Sequence, residues 1–168
     1  MGSYFLDTSA IVKRYVPTEP GHTCIVTLCN PVQSHKLYIA QAASVEVVAA
    51  MCRKTREGSI TTAARDRLIT RFRRDVRSDY DPWRVTNAIY TSAGNLCRSH
   101  KLRAYDAVQL ACALGVHNQA LASGAPSSIF VCADNSLLRY RHCRGIRRGE
   151  SEQSSIKIRL IQSYGSIL

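Results

Sequence analysis

Four carboxylates in this chain occupy places where a charge is costly. The sequence holds twelve Asp and Glu in 168 residues. Eight of them, Glu19, Glu57, Asp66, Asp75, Asp79, Asp81, Glu150 and Glu152, sit among polar neighbours and read as surface residues. The other four do not. Asp7 ends the strand-like Tyr4-Phe-Leu6, and Asp134 directly follows the apolar run Ile129-Phe-Val-Cys-Ala133. Glu46 lies in Ala42-Ala-Ser-Val-Glu-Val-Val-Ala-Ala-Met51, and Asp106 in Ala104-Tyr-Asp-Ala-Val-Gln-Leu-Ala-Cys-Ala-Leu114. Both segments are apolar almost all round, as buried helices are. A buried carboxylate without a cation costs several kcal/mol. Each acid has an ordinary explanation by itself. Asp7 and Asp134 could cap helices. Glu46 and Asp106 could answer a helix dipole from its first turn, and Glu46 could pair with an arginine. Four such acids at strand ends and buried helix starts point instead to one shared site. Converging carboxylates repel and raise one another's pKa. A hard, oxygen-preferring divalent cation resolves the repulsion, and Mg²⁺ or Mn²⁺ fits best. Such an ion lowers the pKa of a bound water and offsets charge on a phosphate under attack, which is the chemistry of phosphodiester hydrolysis.

The elements that must position these acids follow from pattern. Residues 3–7 read as a strand, after which Thr8 and Ser9 offer caps to a helix over 10–16. A second helix is expected at 23–29, a strand at 37–39 and a helix at 42–56 that stops at Gly58. Another helix starts at Thr61 or Thr62 and runs to about Arg77, where Asp81-Pro82 breaks the pattern. Helices over 85–99 and 103–114, a buried strand at 129–133 and a last helix opening at 135–140 complete the reading. Strands alternating with helices imply an α/β fold with a largely parallel sheet, whose sites form beyond the carboxyl ends of the strands. From Arg144 the composition turns to Gly, Ser and charge, then Ile156-Lys-Ile-Arg-Leu-Ile161 alternates like a strand without an evident place. The expected division is a domain over 1–145 and a tail over 146–168.

Composition narrows the class. An apolar content of 45% supplies a core for one domain. Neither a membrane span nor a signal peptide is evident, so a cytoplasmic protein with no membrane partner is expected. The seven cysteines are odd in number, form no CxxC pair and mostly lie in apolar runs, which argues against disulfides or zinc and fits a reducing compartment. A formal charge of +11 favours a polyanionic partner, most simply nucleic acid. Six arginines crowd residues 65–77 while Leu68, Ile69, Phe72 and Val76 form the inward stripe of the same helix. Arg71 and Arg74 are candidate phosphate contacts, as are Lys13 and Arg14 close behind Asp7, and Tyr105 is a candidate stacking platform beside Asp106.

These residues carry a resemblance. Tyr4-Phe-Leu-Asp-Thr-Ser-Ala-Ile-Val12 resembles the opening strand and turn of PIN-domain ribonucleases, including VapC-type toxins. Ser44-Val-Glu-Val47 looks like their second acidic motif, Leu102-Arg-Ala-Tyr-Asp-Ala-Val-Gln-Leu-Ala111 is similar to their third, and Phe130-Val-Cys-Ala-Asp-Asn-Ser-Leu-Leu138 resembles the fourth. The resemblance implies a three-layer α/β/α sandwich and an endoribonuclease dependent on Mg²⁺ or Mn²⁺, leaving 5′-phosphate and 3′-hydroxyl ends. It also implies a homodimer paired with a small antitoxin. Asp7, Glu46, Asp106 and Asp134 take the catalytic, metal-holding positions, with Thr8 or Ser9 as the supporting hydroxyl. The chain departs from the family at Arg139-Tyr-Arg-His-Cys-Arg-Gly145, where an Ala-rich helix, a glycine and a short strand are usual. The alternative reading is a catalytically inactive nucleic-acid- or partner-binding module on the same fold. An Asp-nucleophile phosphotransferase is disfavoured because Ser9 stands where its second Asp belongs. A Rossmann domain is disfavoured because no Gly-rich loop follows the first strand.

Overall fold

The computed structural model describes residues 2–133 and the backbone of residues 157–160. Among these residues the chain forms β1 (Ser3–Leu6), α1 (Thr8–Tyr15), α2 (His22–Leu28), β2 (Lys36–Ala40), α3 (Ala43–Arg56), α4 (Thr62–Ser78), β3 (Asp81–Trp83), α5 (Asn87–Ser99), α6 (Ala104–Ala122), β4 (Ile129–Cys132) and β5 (Lys157–Leu160). The strands pair in the order β3-β2-β1-β4-β5, and every pairing is parallel.

Strand period and connection handedness together make the three layers. Along β1, Phe5 packs with one core and Leu6 with the other. Leu37 and Ile39 of β2 likewise face away from Tyr38 and Ala40. The first two crossovers carry α1 to α4 and step outward from β1 to β2 to β3. The third carries α5 and α6 back past β1 to β4. Right-handed crossovers put their helices on opposite sheet faces when the chain reverses direction in this way. Ile11, Tyr15, Val47, Met51 and Phe72 accordingly fill the core on one face, while Leu110, Val116 and Phe130 fill the core on the other. The reversal between β1 and β4 creates a switch point, where the ends of adjacent strands leave a crevice.

The structure departs from the sequence pattern in five places. Asp7, not Thr8 or Ser9, caps α1. Asp81-Pro82-Trp83 is a short edge strand and not merely a break. Proline is tolerated there because an edge strand need not donate from every position. Helix α6 runs on to Ala122 through Gly115, which leaves room for the Trp83 ring; a Cβ at Gly115 would stand 3.1 Å from Trp83 Nε1. Asp75, read as a surface acid, is only 3% exposed. Residues 157–160, which the pattern left without a place, pair with β4. The helix expected at 135–140 lies outside the described residues.

Candidate active site

Three helices begin at the carboxyl end of the sheet, and each brings an acid. Asp7 is the first residue past β1 and the cap of α1, its carboxylate accepting from Ser9 N at 3.1 Å. Its backbone N donates to Val131 O at 2.9 Å, which seats it against β4 at the switch point. Glu46 lies in the first turn of α3, and Asp106 in the first turn of α6. Neither helix has a side-chain cap, so these carboxylates also answer the dipole.

Two hydroxyls and an amide orient the acids. Ser9 Oγ donates to Asp7 Oδ2 at 2.5 Å and accepts from Ala133 N at 2.9 Å, so one hydroxyl ties Asp7 to the end of β4. Thr8 Oγ1 donates to Glu46 Oε2 at 2.8 Å. Gln109 Nε2 donates to the same Glu46 oxygen at 2.5 Å and to Thr8 Oγ1 at 2.9 Å. In both Asp7 and Glu46 the donors gather on one carboxylate oxygen, and the other oxygen takes no hydrogen bond among the described residues.

The electrostatics are those of acids held without a counter-charge. Burial pushes the Asp7 carboxyl up to about 6 against the pull of its Ser9 hydrogen bonds, and Glu46 and Asp106 push it further. Burial also raises Glu46; the Thr8 and Gln109 bonds oppose that rise and Asp106 adds to it. Each acid therefore feels at least one of the others. Among the described residues no lysine or arginine forms an ion pair with Asp7 or Glu46. An oxygen-only donor set with raised pKa values fits a hard divalent cation. Among the described residues no three such side chains stand close enough to share an ion. Asp134 lies outside those residues, one position beyond Ala133.

The remaining expected site residues are scattered. Tyr105 is 58% exposed next to Asp106 and is not in the core. Lys13 is occupied by Pro20 O and by Glu19. Arg14 is buried at the far end of α1, bonded to Asp79 and 3.6 Å from Asp75, so its charge is spent inside the protein. Arg71 and Arg74 are exposed and flank Asp75 at that same end, about 12 Å along α1 from Asp7 by helix rise. Sequence reasoning missed Gln109. Its signal was present: a polar residue one turn after Asp106 in an otherwise apolar run.

The PIN domain family model matches residues 4–124, and the chain belongs to that family. Ribonuclease VapC45 of Mycobacterium tuberculosis (strain CDC 1551 / Oshkosh) is 30% identical over 146 residues, covering 85% of this chain and 92% of the relative. Ribonuclease VapC49 of Mycobacterium tuberculosis (strain ATCC 25618 / H37Rv) matches equally well, at 30% over 146 residues. The crystal structure of VapBC2 from Rickettsia felis, bound to a DNA fragment from their promoter, superposes with a TM-score of 0.56 at 9% identity. That match covers 94% of this chain and 98% of the other, and at that identity it speaks for the fold alone.

Proposed function

We propose that this chain is an endoribonuclease that hydrolyses RNA with Mg²⁺ or Mn²⁺ held by Asp7, Glu46, Asp106 and Asp134. The observation that carries the reading is a buried Asp7 and a half-buried Glu46 without a basic partner among the described residues, beside an Asp106 whose charge raises both. Proteins neutralise buried acids, and here the neutralising charge is left to come from outside. A bound cation supplies an activated water near neutral pH and offsets charge on the scissile phosphate. Ser9 fixes Asp7 through Oδ2, and Thr8 and Gln109 fix Glu46 through Oε2. Asp7 Oδ1 and Glu46 Oε1, which take no hydrogen bond among the described residues, would be available to hold the ion. The ribonuclease names of the two mycobacterial relatives support RNA, single-stranded or structured, as the substrate. Tyr105 is placed to stack an unpaired base. Lys13, Arg14, Arg71 and Arg74 are less well placed, being paired internally or remote from Asp7. The likeness to the two VapC relatives extends the reading to a toxin beside a small antitoxin, with a homodimer in the cytoplasm. Among the described residues no helix is long and apolar enough to cross a membrane.

The reading is tested by RNA cleavage in Mn²⁺, after EDTA, and in Asp7→Asn, Glu46→Gln and Asp106→Asn. Each substitution is expected to lower the rate by about two orders of magnitude or more, as loss of charge stabilisation at a reacting centre does. Cleavage that persists in EDTA, or survives in Asp7→Asn, would sink it.

A further inference from the structure

The amide of Gln109 is an improbable choice for its position unless it serves Glu46. The residue is 1% exposed, in a helix whose residues 107–113 are all buried, between Val108 and Leu110. Its Oε1 is buried without a hydrogen-bond partner among the described residues. A buried unsatisfied oxygen is unfavourable, and leucine or methionine would fill the same space without that cost. What the amide gives in return is its nitrogen. Nε2 donates to Glu46 Oε2 and to Thr8 Oγ1, and Thr8 Oγ1 donates to that same Glu46 oxygen. The three groups form a closed triangle drawn from α1, α3 and α6. Because Gln109 follows Asp106 by one turn, the helix face that carries one acid also carries the donor that holds another.

We infer that Gln109 is the positioning residue of the metal site: it fixes Glu46 by one oxygen so that Oε1 is presented to the cation. The inference rests on the nuclease reading above. A donor to a ligating carboxylate sets the ligand's orientation, and losing such a partner typically weakens metal affinity 10- to 100-fold. Gln109 thus links Asp106 and Glu46 in one rigid unit, and the affinity of the site depends on a residue that never touches the ion.

The test is direct Mn²⁺ binding to the full chain, followed by electron paramagnetic resonance, with thermal melting in EDTA beside it. Gln109→Met keeps length and helix preference and removes the donor; Gln109→Asn keeps the amide but falls one methylene short of Glu46. Both are expected to weaken Mn²⁺ binding about 10- to 100-fold. In a Glu46→Gln background the same changes should alter affinity less than about twofold, because the ligand they orient is gone. Equal losses in both backgrounds would overturn the inference, as would a lower melting temperature with unchanged Mn²⁺ affinity. If the parent binds Mn²⁺ and Gln109→Met matches it, only the role of Gln109 fails. If the parent binds no Mn²⁺, the nuclease reading fails with it.

Discussion

A buried acid with a half-buried neighbour stands at each end of helix α1, and the two pairs are solved in opposite ways. At its carboxyl end Asp75 and Asp79 close around Arg14, whose guanidinium also lies 5.1 Å from the Tyr80 ring centre. The Tyr15 hydroxyl adds a bond to Asp75 at 3.1 Å. At its amino end, among the described residues, Asp7 and Glu46 receive only neutral donors, from Ser9, Thr8 and Gln109. Hydrogen bonds from hydroxyls and amides orient a carboxylate but leave its charge in place. The first cluster is complete inside the protein and locks α4 to α1. The second is oriented and uncompensated, the state that a site waiting for a cation requires.

The comparison is broken most forcefully at Arg14. Arg14→Met removes the buried guanidinium between Asp75 and Asp79 and leaves Asp75 only the exposed side chains of Arg71 and Arg74; the expected loss is about 3–5 kcal/mol, read from urea or thermal unfolding. A loss below about 1 kcal/mol would mean that the two ends do not differ as described.

Asp7→Asn should act in the opposite sense on the metal-free protein. The folded chain keeps the Asp7 proton up to about pH 6, whereas the ordinary value is 3.8. Between those values the folded state binds more protons than the unfolded one, so stability falls as pH rises and the loss is complete above about pH 6. Asparagine still caps a helix and carries no charge. In EDTA the variant should therefore gain up to about 3 kcal/mol over the parent above pH 6, and nothing below about pH 4. A pH-independent difference would contradict the burial and repulsion assigned to Asp7.

Asp106→Asn gives a smaller effect with an informative sign. As a member of the acid cluster, its removal relieves Asp7 and Glu46, and the metal-free protein should melt at the parent temperature or slightly above while RNA cleavage in Mn²⁺ collapses. As a dipole partner alone, its removal should cost about 0.3–1 kcal/mol and leave cleavage intact.

The substrate path is read from binding and not from stability. Tyr105→Ala should weaken RNA by about 1–3 kcal/mol if a base stacks there. Each arginine that holds a phosphate should contribute about 0.7 to the log–log salt slope for single strands. An unchanged slope in Arg71→Ala and Arg74→Ala would remove α4 from the RNA path.

Which of these features the sequence revealed depended on how local their causes are. Asp7, Glu46 and Asp106 stood out because burial pattern and helix start are both written within a few residues of each acid. The alternation of strands and helices was equally local, and it carried the α/β architecture. What escaped depends on distant partners. Asp75 sits among arginines in sequence and reads as exposed, yet Tyr15 and Arg14, some sixty residues earlier, bury it. Arg14 reads as a phosphate ligand for the same reason. Helix α6 passes through Gly115 because Trp83 of β3 needs the room. Residues 157–160 alternate like a strand, but only the free edge of β4 tells where they belong. Gln109 was visible as a polar residue in an apolar helix and lacked only the partners that give it meaning.

The central claim, that the amino end of α1 is a cation site, is tested most directly by a crystal structure soaked in Mn²⁺ with anomalous scattering at the manganese edge. The account predicts an anomalous peak ligated by Asp7, Glu46, Asp106 and Asp134, with Asp7 Oδ1 and Glu46 Oε1 as the coordinating oxygens. A well-ordered site with no peak at millimolar Mn²⁺, or a peak bound elsewhere with these acids still apart, would contradict it.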